Sequence, residues 1–243
     1  MPAKSATLEC QCRSPLSLRC IVFALRGHVN GDHHRVFQST RSATIRERSM
    51  GVSRQQAAEN RSAIVAAAER LFRVRGVDAV GLTELMKEAG FTQGGFYNHF
   101  KSKDALVAEV MEKAMHDRAD SPNAGSLDAQ VAAYLSPAHR DNLEAGCPLS
   151  GFAGDAPRLT ETARACYAHG LAAYLDRLER MVATDGATPE QTRRDALAVF
   201  SQMVGALVLS RAIAGSDPAL ADEILDAGRD ALTGRRGDPV TSA

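Results

Sequence analysis

Residues 82–100 read LTELMKEAGFTQGGFYNHF, and the fold turns on how this stretch divides. Leu82, Leu85, Met86 and Ala89 recur at three-to-four spacing, which predicts a short amphipathic helix that Gly90 stops. Thr92 is placed to cap a second short helix over Gln93–Phe100. The link Ala89-Gly90-Phe91-Thr92 supplies what a helix-turn-helix needs, a glycine that accepts positive φ and an apolar residue that pins the turn. On the second helix Phe96 and Phe100 lie four apart and face the core, so Gln93, Gly94, Tyr97 and Asn98 turn outward.

That outer face is polar and sparse, as a helix entering a DNA major groove requires. Gln93 can pair bidentately with adenine, Asn98 reaches a base edge or a phosphate, and Tyr97, His99 and Lys103 are placed for phosphate. Two adjacent glycines, Gly94 and Gly95, each cost about 1 kcal/mol relative to Ala in a helix interior, and they let a backbone approach a groove closely.

Working outward, Ile64, Ala68, Leu71 and Phe72 predict a helix over Gln55–Arg75, ended at Gly76. The helix after the motif begins near Ser102, whose hydroxyl is a cap, and buries Leu106, Val107, Val110 and Met111. A turn-rich break follows at 121–125 (SPNAG). Helical stretches then run over about 127–135, 159–183, 189–214 and 218–232, with a short helix starting at Pro148. Runs of alternating β-branched residues are almost absent, so the fold class is all-α.

Three stretches, Ala66–Phe72, Arg75-Gly76-Val77 and Glu88–Lys103, resemble the signature of the TetR/AcrR family of transcriptional regulators. The resemblance covers about Gln55–Val110. It implies a three-helix DNA-binding head with a helix-turn-helix, joined to a larger helical body for ligand binding and dimerisation. It also implies DNA contacts at Thr92, Gln93, Gly94, Gly95, Tyr97, Asn98 and His99, with Lys103 on phosphate. Gly94 and Gly95 depart from the family's commoner Pro or Lys followed by Thr or Ser, which removes base-contacting side chains at those two places. Residues 135–158, with HRD and GCPLSGF, resemble one branch of the family in the body.

Composition narrows the alternatives. Lys and Arg number 29 against 29 Asp and Glu, so no global positive field supports a histone-like coating of nucleic acid. Residues 1–49 hold eight basic and three acidic side chains, a net of +5, which leaves −5 for the rest. This first segment is read as an extension, disordered or foreign to the native protein, with Met50 as the expected start. Its longest apolar run, CIVFAL at 20–25, is too short for a spanning helix or an export signal. Cys10, Cys12 and Cys20 lack zinc-ligand spacing despite His28, His33 and His34 nearby, so neither metal nor cofactor is expected. Only Cys147 and Cys166 remain beyond it, consistent with a reducing cytoplasm. The expected division is 1–50 extension, 51–103 DNA-binding head, 104–235 body and 236–243 tail.

In the body, Tyr134, Phe152, Tyr167, Phe200 and Met203 are candidates for an apolar ligand pocket, with ordinary core packing the alternative for each. Cys147, at the start of the Pro148 helix, is either an electrophile or oxidant sensor or a structural thiol. His139 and Asp141 in HRD read as loop hydrogen bonding and not as catalytic acid–base groups. The apolar stripe Val199, Phe200, Met203, Val204, Leu207 and Val208, with the helix at 218–232, is read as a homodimer interface or as internal core. The expectation is a cytoplasmic, non-enzymatic, ligand- or electrophile-responsive repressor that binds a pseudo-palindromic operator as a homodimer. A DNA-binding regulator without a small effector, or an activator, is the alternative.

Overall fold

The computed structural model describes residues 39–120 and 125–234, and the side chains of 54–118 and 125–234. The tail at 236–243, most of the break at 121–125, and the extension with its Cys and His residues, apart from a helix beginning at Ser39, lie outside the described residues. Contacts divide the chain into two units, Met1–Arg48 and Ser49–Ala243, and the side chains below belong to the second.

The spacing of Ile64, Ala68 and Phe72 is realised on helix α1 (Ser39–Arg75), where all three are fully buried. Gly76 ends it at φ 82°, donating its N–H to Phe72 O. The helix starts well before the predicted Gln55. Its added turns contain neither Pro nor Gly before Gly51, so nothing breaks the backbone where the apolar stripe is missing.

Helix α2 (Leu82–Glu88) buries Leu85 and Met86. It closes in a Schellman turn: Gly90, at φ 83°, donates to Lys87 O, and Phe91 donates to Met86 O at 2.8 Å. The next element, Gln93–Asn98, is a 3₁₀ helix and not the α-helix to Phe100 that was expected. Two glycines in six residues favour a short, tight turn over sustained α-helix. Thr92 occupies its cap position with extended backbone, but its side chain makes no capping bond, contrary to expectation. Helix α3 (Lys103–Asp120) starts as predicted, with Ser102 Oγ accepting from the Ala105 N–H at 3.1 Å.

The body continues through α4 (Leu127–Tyr134), α5 (Pro137–Asp141), α6 (Pro148–Gly151), a 3₁₀ turn (Ala156–Arg158), α7 (Glu161–Val182), α8 (Pro189–Ile213) and α9 (Pro218–Thr233). The described residues include no strand. Proline at the first turn of α5, α6, α8 and α9 fixes where each begins, and Thr188 with Gln191 forms a capping box on α8. Two crossings depend on missing side chains. A Cβ on Gly170 of α7 would lie 2.6 Å from Met115 Cβ of α3, and one on Gly228 of α9 would lie 3.0 Å from Ala206 Cβ of α8. One apolar cluster runs from Phe72, Leu85 and Phe96 in the head to Leu178, Met203 and Leu225 in the body.

Candidate nucleic-acid interface and the cavity behind it

The 93–98 helix is anchored from behind. Phe96 is fully buried and stacks on Phe100, with ring centroids 5.6 Å apart. Tyr97 packs edge-on against Phe96 yet is 68% exposed. Thr92, Gln93, Gly94 and Asn98 are exposed, whereas Gly95 and His99 are half-buried. A Cβ at Gly94 would meet nothing within 4 Å, and one at Gly95 only Met86 Cε and Thr92 Oγ1 at ordinary contact distance.

Two polar arrangements on this face had no signal in apolar spacing. Thr83 Oγ1, on α2, donates to Gln93 Oε1 at 2.7 Å, fixing the side chain read as the adenine contact. Arg61 of α1 donates to the His99 carbonyl and to the Glu109 carboxylate of α3, and its guanidinium lies 4.0 Å from the Phe100 ring centroid. One arginine thus ties the end of the reading helix to both flanking helices.

Lys103 is placed differently from its sequence reading. Its Nζ donates to the carbonyls of Val77 and Val80, each at 2.7 Å, so two of its three N–H donors hold the turn between α1 and α2. Only its remaining donor is left for a phosphate. The half-buried His99 likewise presents less of its ring than a free phosphate ligand would.

Behind the head lies a cavity of about 620 Å³. Its walls come from α1 (Ala66, Glu69, Arg70, Arg73), α3 (Ala114, Asp117, Arg118), α4 (Gln130, Ala133, Tyr134), the 139–148 segment and Arg177 of α7. Of the pocket candidates, Tyr134 and Cys147 line it. Phe152, Tyr167, Phe200 and Met203 do not. Phe152 and Met203 are fully buried core, Phe200 packs on the Tyr174 and Tyr134 rings, and the Tyr167 hydroxyl donates to Leu149 O at 2.6 Å. Large apolar side chains went to the interior, and the open volume was left to arginines, small residues and polar tips.

His139 organises the segment over the cavity. Its Nδ1 bonds the Tyr134 carbonyl at 2.7 Å, and its Nε2 accepts the Cys147 N–H at 3.0 Å. A carbonyl on one nitrogen and a donor on the other select the neutral ring, protonated at Nδ1. Burial is the main cause that lowers the His139 pKa, with the Arg211 and Arg118 charges adding to it. Arg211 donates to the His139 and Arg140 carbonyls, so HRD, expected in a loop, is instead a hydrogen-bonded part of helix α5. Cys147 is 7% exposed and caps α6 by position without a side-chain capping bond. Burial, and then the neighbouring Cys147, push the Tyr134 phenol up. From α1, Arg73 donates to the Gly146 carbonyl at 2.6 Å and pairs with Glu69, so the head grips the residue before Cys147.

Residues 64–110 match the family model described as bacterial regulatory proteins, tetR family. The HTH-type transcriptional regulator AcrR of Shigella flexneri is 37% identical over 81 residues, covering 33% of this chain and 35% of that protein. The HTH-type transcriptional repressor BepR of Brucella suis is 31% identical over 149 residues, covering 60% of this chain and 64% of that protein. The chain therefore spans less than two thirds of the length of either relative. Among solved structures, a TetR transcriptional regulator from Chloroflexus aurantiacus superposes with a TM-score of 0.60 at 20% identity, covering 74% of this chain and 95% of that one. E. coli NemR in its reduced form gives 0.57 at 19% identity, covering 72% and 96%. At such identities the likeness speaks for the fold.

Proposed function

Because the chain belongs to the TetR/AcrR family of helix-turn-helix regulators, we propose that it is a cytoplasmic transcriptional repressor that binds a pseudo-palindromic operator as a homodimer and releases it on binding a ligand or an electrophile. The observation that carries the reading is the exposed polar face Gln93, Gly94, Tyr97 and Asn98, held rigid by the buried Phe96 and Phe100. Thr92, Gly95 and His99 flank that face, and Lys103 contributes its one remaining donor. In this reading 51–103 is the head and 104–235 the body.

The homodimer reading is supported by α8. An 18-residue window of this helix has a mean hydropathy of 1.7, yet only 33% of it is buried within the chain. Phe200, Met203 and Leu207 are buried in the core, which leaves Leu197, Val208 and Leu209 outside, and Leu220 of α9 is exposed as well. Gly205 faces open space and lets a second helix approach closely, whereas Ala206 is already occupied against Gly228. A two-fold partner covers such a surface and sets two reading helices about one DNA turn apart.

Selection of bound sequences from random DNA tests the proposal. The expected product is a two-fold symmetric motif whose affinity falls steeply with salt. Recovery of no preferred sequence would reject it. The electrophile branch has its own test: a Cys147→Ser protein should stay on DNA when reactive compounds displace the wild type, and release equal to wild type would assign Cys147 a structural role.

A further inference from the structure

The cavity wall is charged in a particular way. The guanidinia of Arg118 and Arg177 both lie over the Tyr174 ring, at 4.7 and 5.6 Å from its centroid, and both side chains line the cavity. Of the three acids in the lining, Glu69 pairs with Arg73 and Lys113, Asp117 pairs with Lys113, and Glu144 comes from the 139–148 segment. A further lining side chain, Gln130, is 5% exposed, and its Oε1 has no hydrogen-bond partner among the described residues; nor does Arg118 Nε. Gln130 spends its amide N–H on the Tyr174 hydroxyl, so its carbonyl oxygen is the unused half. A buried polar atom without a partner is unfavourable, and both of these belong to side chains that line the cavity.

We propose that this cavity binds a small organic carboxylate, with the anionic group on Arg118 and Arg177 and the body of the molecule against Tyr134 and the alanines of α1, α3 and α4. A carboxylate accepts from a guanidinium in a charge-assisted bond. A modest rotation of Gln130 gives its unused oxygen a ligand hydroxyl to meet, so a hydroxylated carboxylate fits best. The volume suits a molecule of one ring or a short chain. Burial keeps the Tyr134 phenol protonated and able to donate. Ala66 and Arg73 of the reading head form part of the wall, so an occupant touches the head directly.

The inference rests on the ligand-responsive reading, but its test needs no DNA. Full-length protein is titrated calorimetrically with three matched pairs: benzoate and benzamide, 4-hydroxybenzoate and 4-hydroxybenzamide, hexanoate and hexanamide. At least one carboxylate should bind about tenfold or more tightly than its neutral amide. Arg118→Met should abolish that preference, and Arg118→Lys, which keeps the charge, should retain part of it. Circular dichroism establishes that both variants fold. No preference in any pair, or a preference that survives Arg118→Met, overturns the assignment. Carboxylate binding by a protein that selects no DNA sequence would instead overturn the regulatory reading and leave the site standing.

Discussion

At the scale of single residues, the hydroxyl of Thr83 decides how Gln93 is presented. With Oε1 fixed at 2.7 Å from Thr83, the Gln93 amide has one orientation on the exposed face, which the proposed reading turns to the groove. Gln93→Ala should therefore cost about 1–3 kcal/mol at one base position and relax specificity there, while binding at other positions is unchanged. Thr83→Val should move discrimination at that position in the same direction by less. Binding to operators substituted one base at a time measures both, and a uniform loss across all sequences would reassign Gln93 to a phosphate.

His139 makes a second prediction, with a definite sign. The fold holds the ring neutral between the Tyr134 carbonyl and the Cys147 N–H, and burial lowers its pKa below the ordinary 6.5. The unfolded chain therefore takes up the proton first. This contribution to stability is complete above about pH 6.5 and is lost as pH falls from there through the lower folded value. The wild-type urea midpoint should fall between pH 7 and 5, and His139→Gln should show a shallower fall. Equal slopes would sink the idea. Phe96, Phe100 and Tyr97 were legible from spacing because four residues is one helical turn. Thr83 on Gln93, Arg61 on the His99 carbonyl and Lys103 on Val77 and Val80 were not, because polar partners ten to thirty-eight residues apart leave no period to read.

Between elements, the α3–α7 crossing is set by Gly170. Ala ordinarily gains about 1 kcal/mol over Gly inside a helix. Here its Cβ would stand 2.6 Å from the Cβ, Cγ and Sδ of Met115, and rotation about χ1 leaves the Cβ clash in place. Gly170→Ala should destabilise the protein by about 1–3 kcal/mol, read as a shift in denaturation midpoint. A stabilised variant would mean that the two helices slide apart freely. The helices themselves were well legible, α7, α8 and α9 to within about two residues, since apolar spacing marks all three and first-turn prolines with the Thr188 and Asp217 caps open α8 and α9. Helix α5 escaped because its five residues include no buried side chain, and the reading helix was read as α because spacing alone does not separate 3.0 from 3.6 residues per turn over six residues.

For the whole molecule, the largest consequence hangs on the outer face of α8. Leu209 is 60% exposed, so Leu209→Glu leaves the single-chain core intact. It should convert a dimer into monomers by sedimentation and weaken operator binding by about a hundredfold or more, since two linked heads then act singly. A variant that remains dimeric moves the interface elsewhere. The apolar stripe was visible in the sequence, but which of its residues faced inward was not, because a helix this apolar satisfies both the core and a partner. The cavity was the least legible feature. Of the residues expected to line it, Tyr134 and Cys147 do, and the rest of the wall forms where arginines of α1, α3 and α7 converge, a convergence that only the assembled helices create.

Gly94 leaves the head with an unwritten position. A side chain there would meet nothing in the protein within 4 Å, so the core packing of the head sets no condition on what fills it. Most proteins that change what they recognise must trade recognition against folding, because each new contact disturbs an old one. On the proposed reading the two are uncoupled here: duplicated copies of this gene could diverge in the sequences they bind through one codon, each keeping the same scaffold.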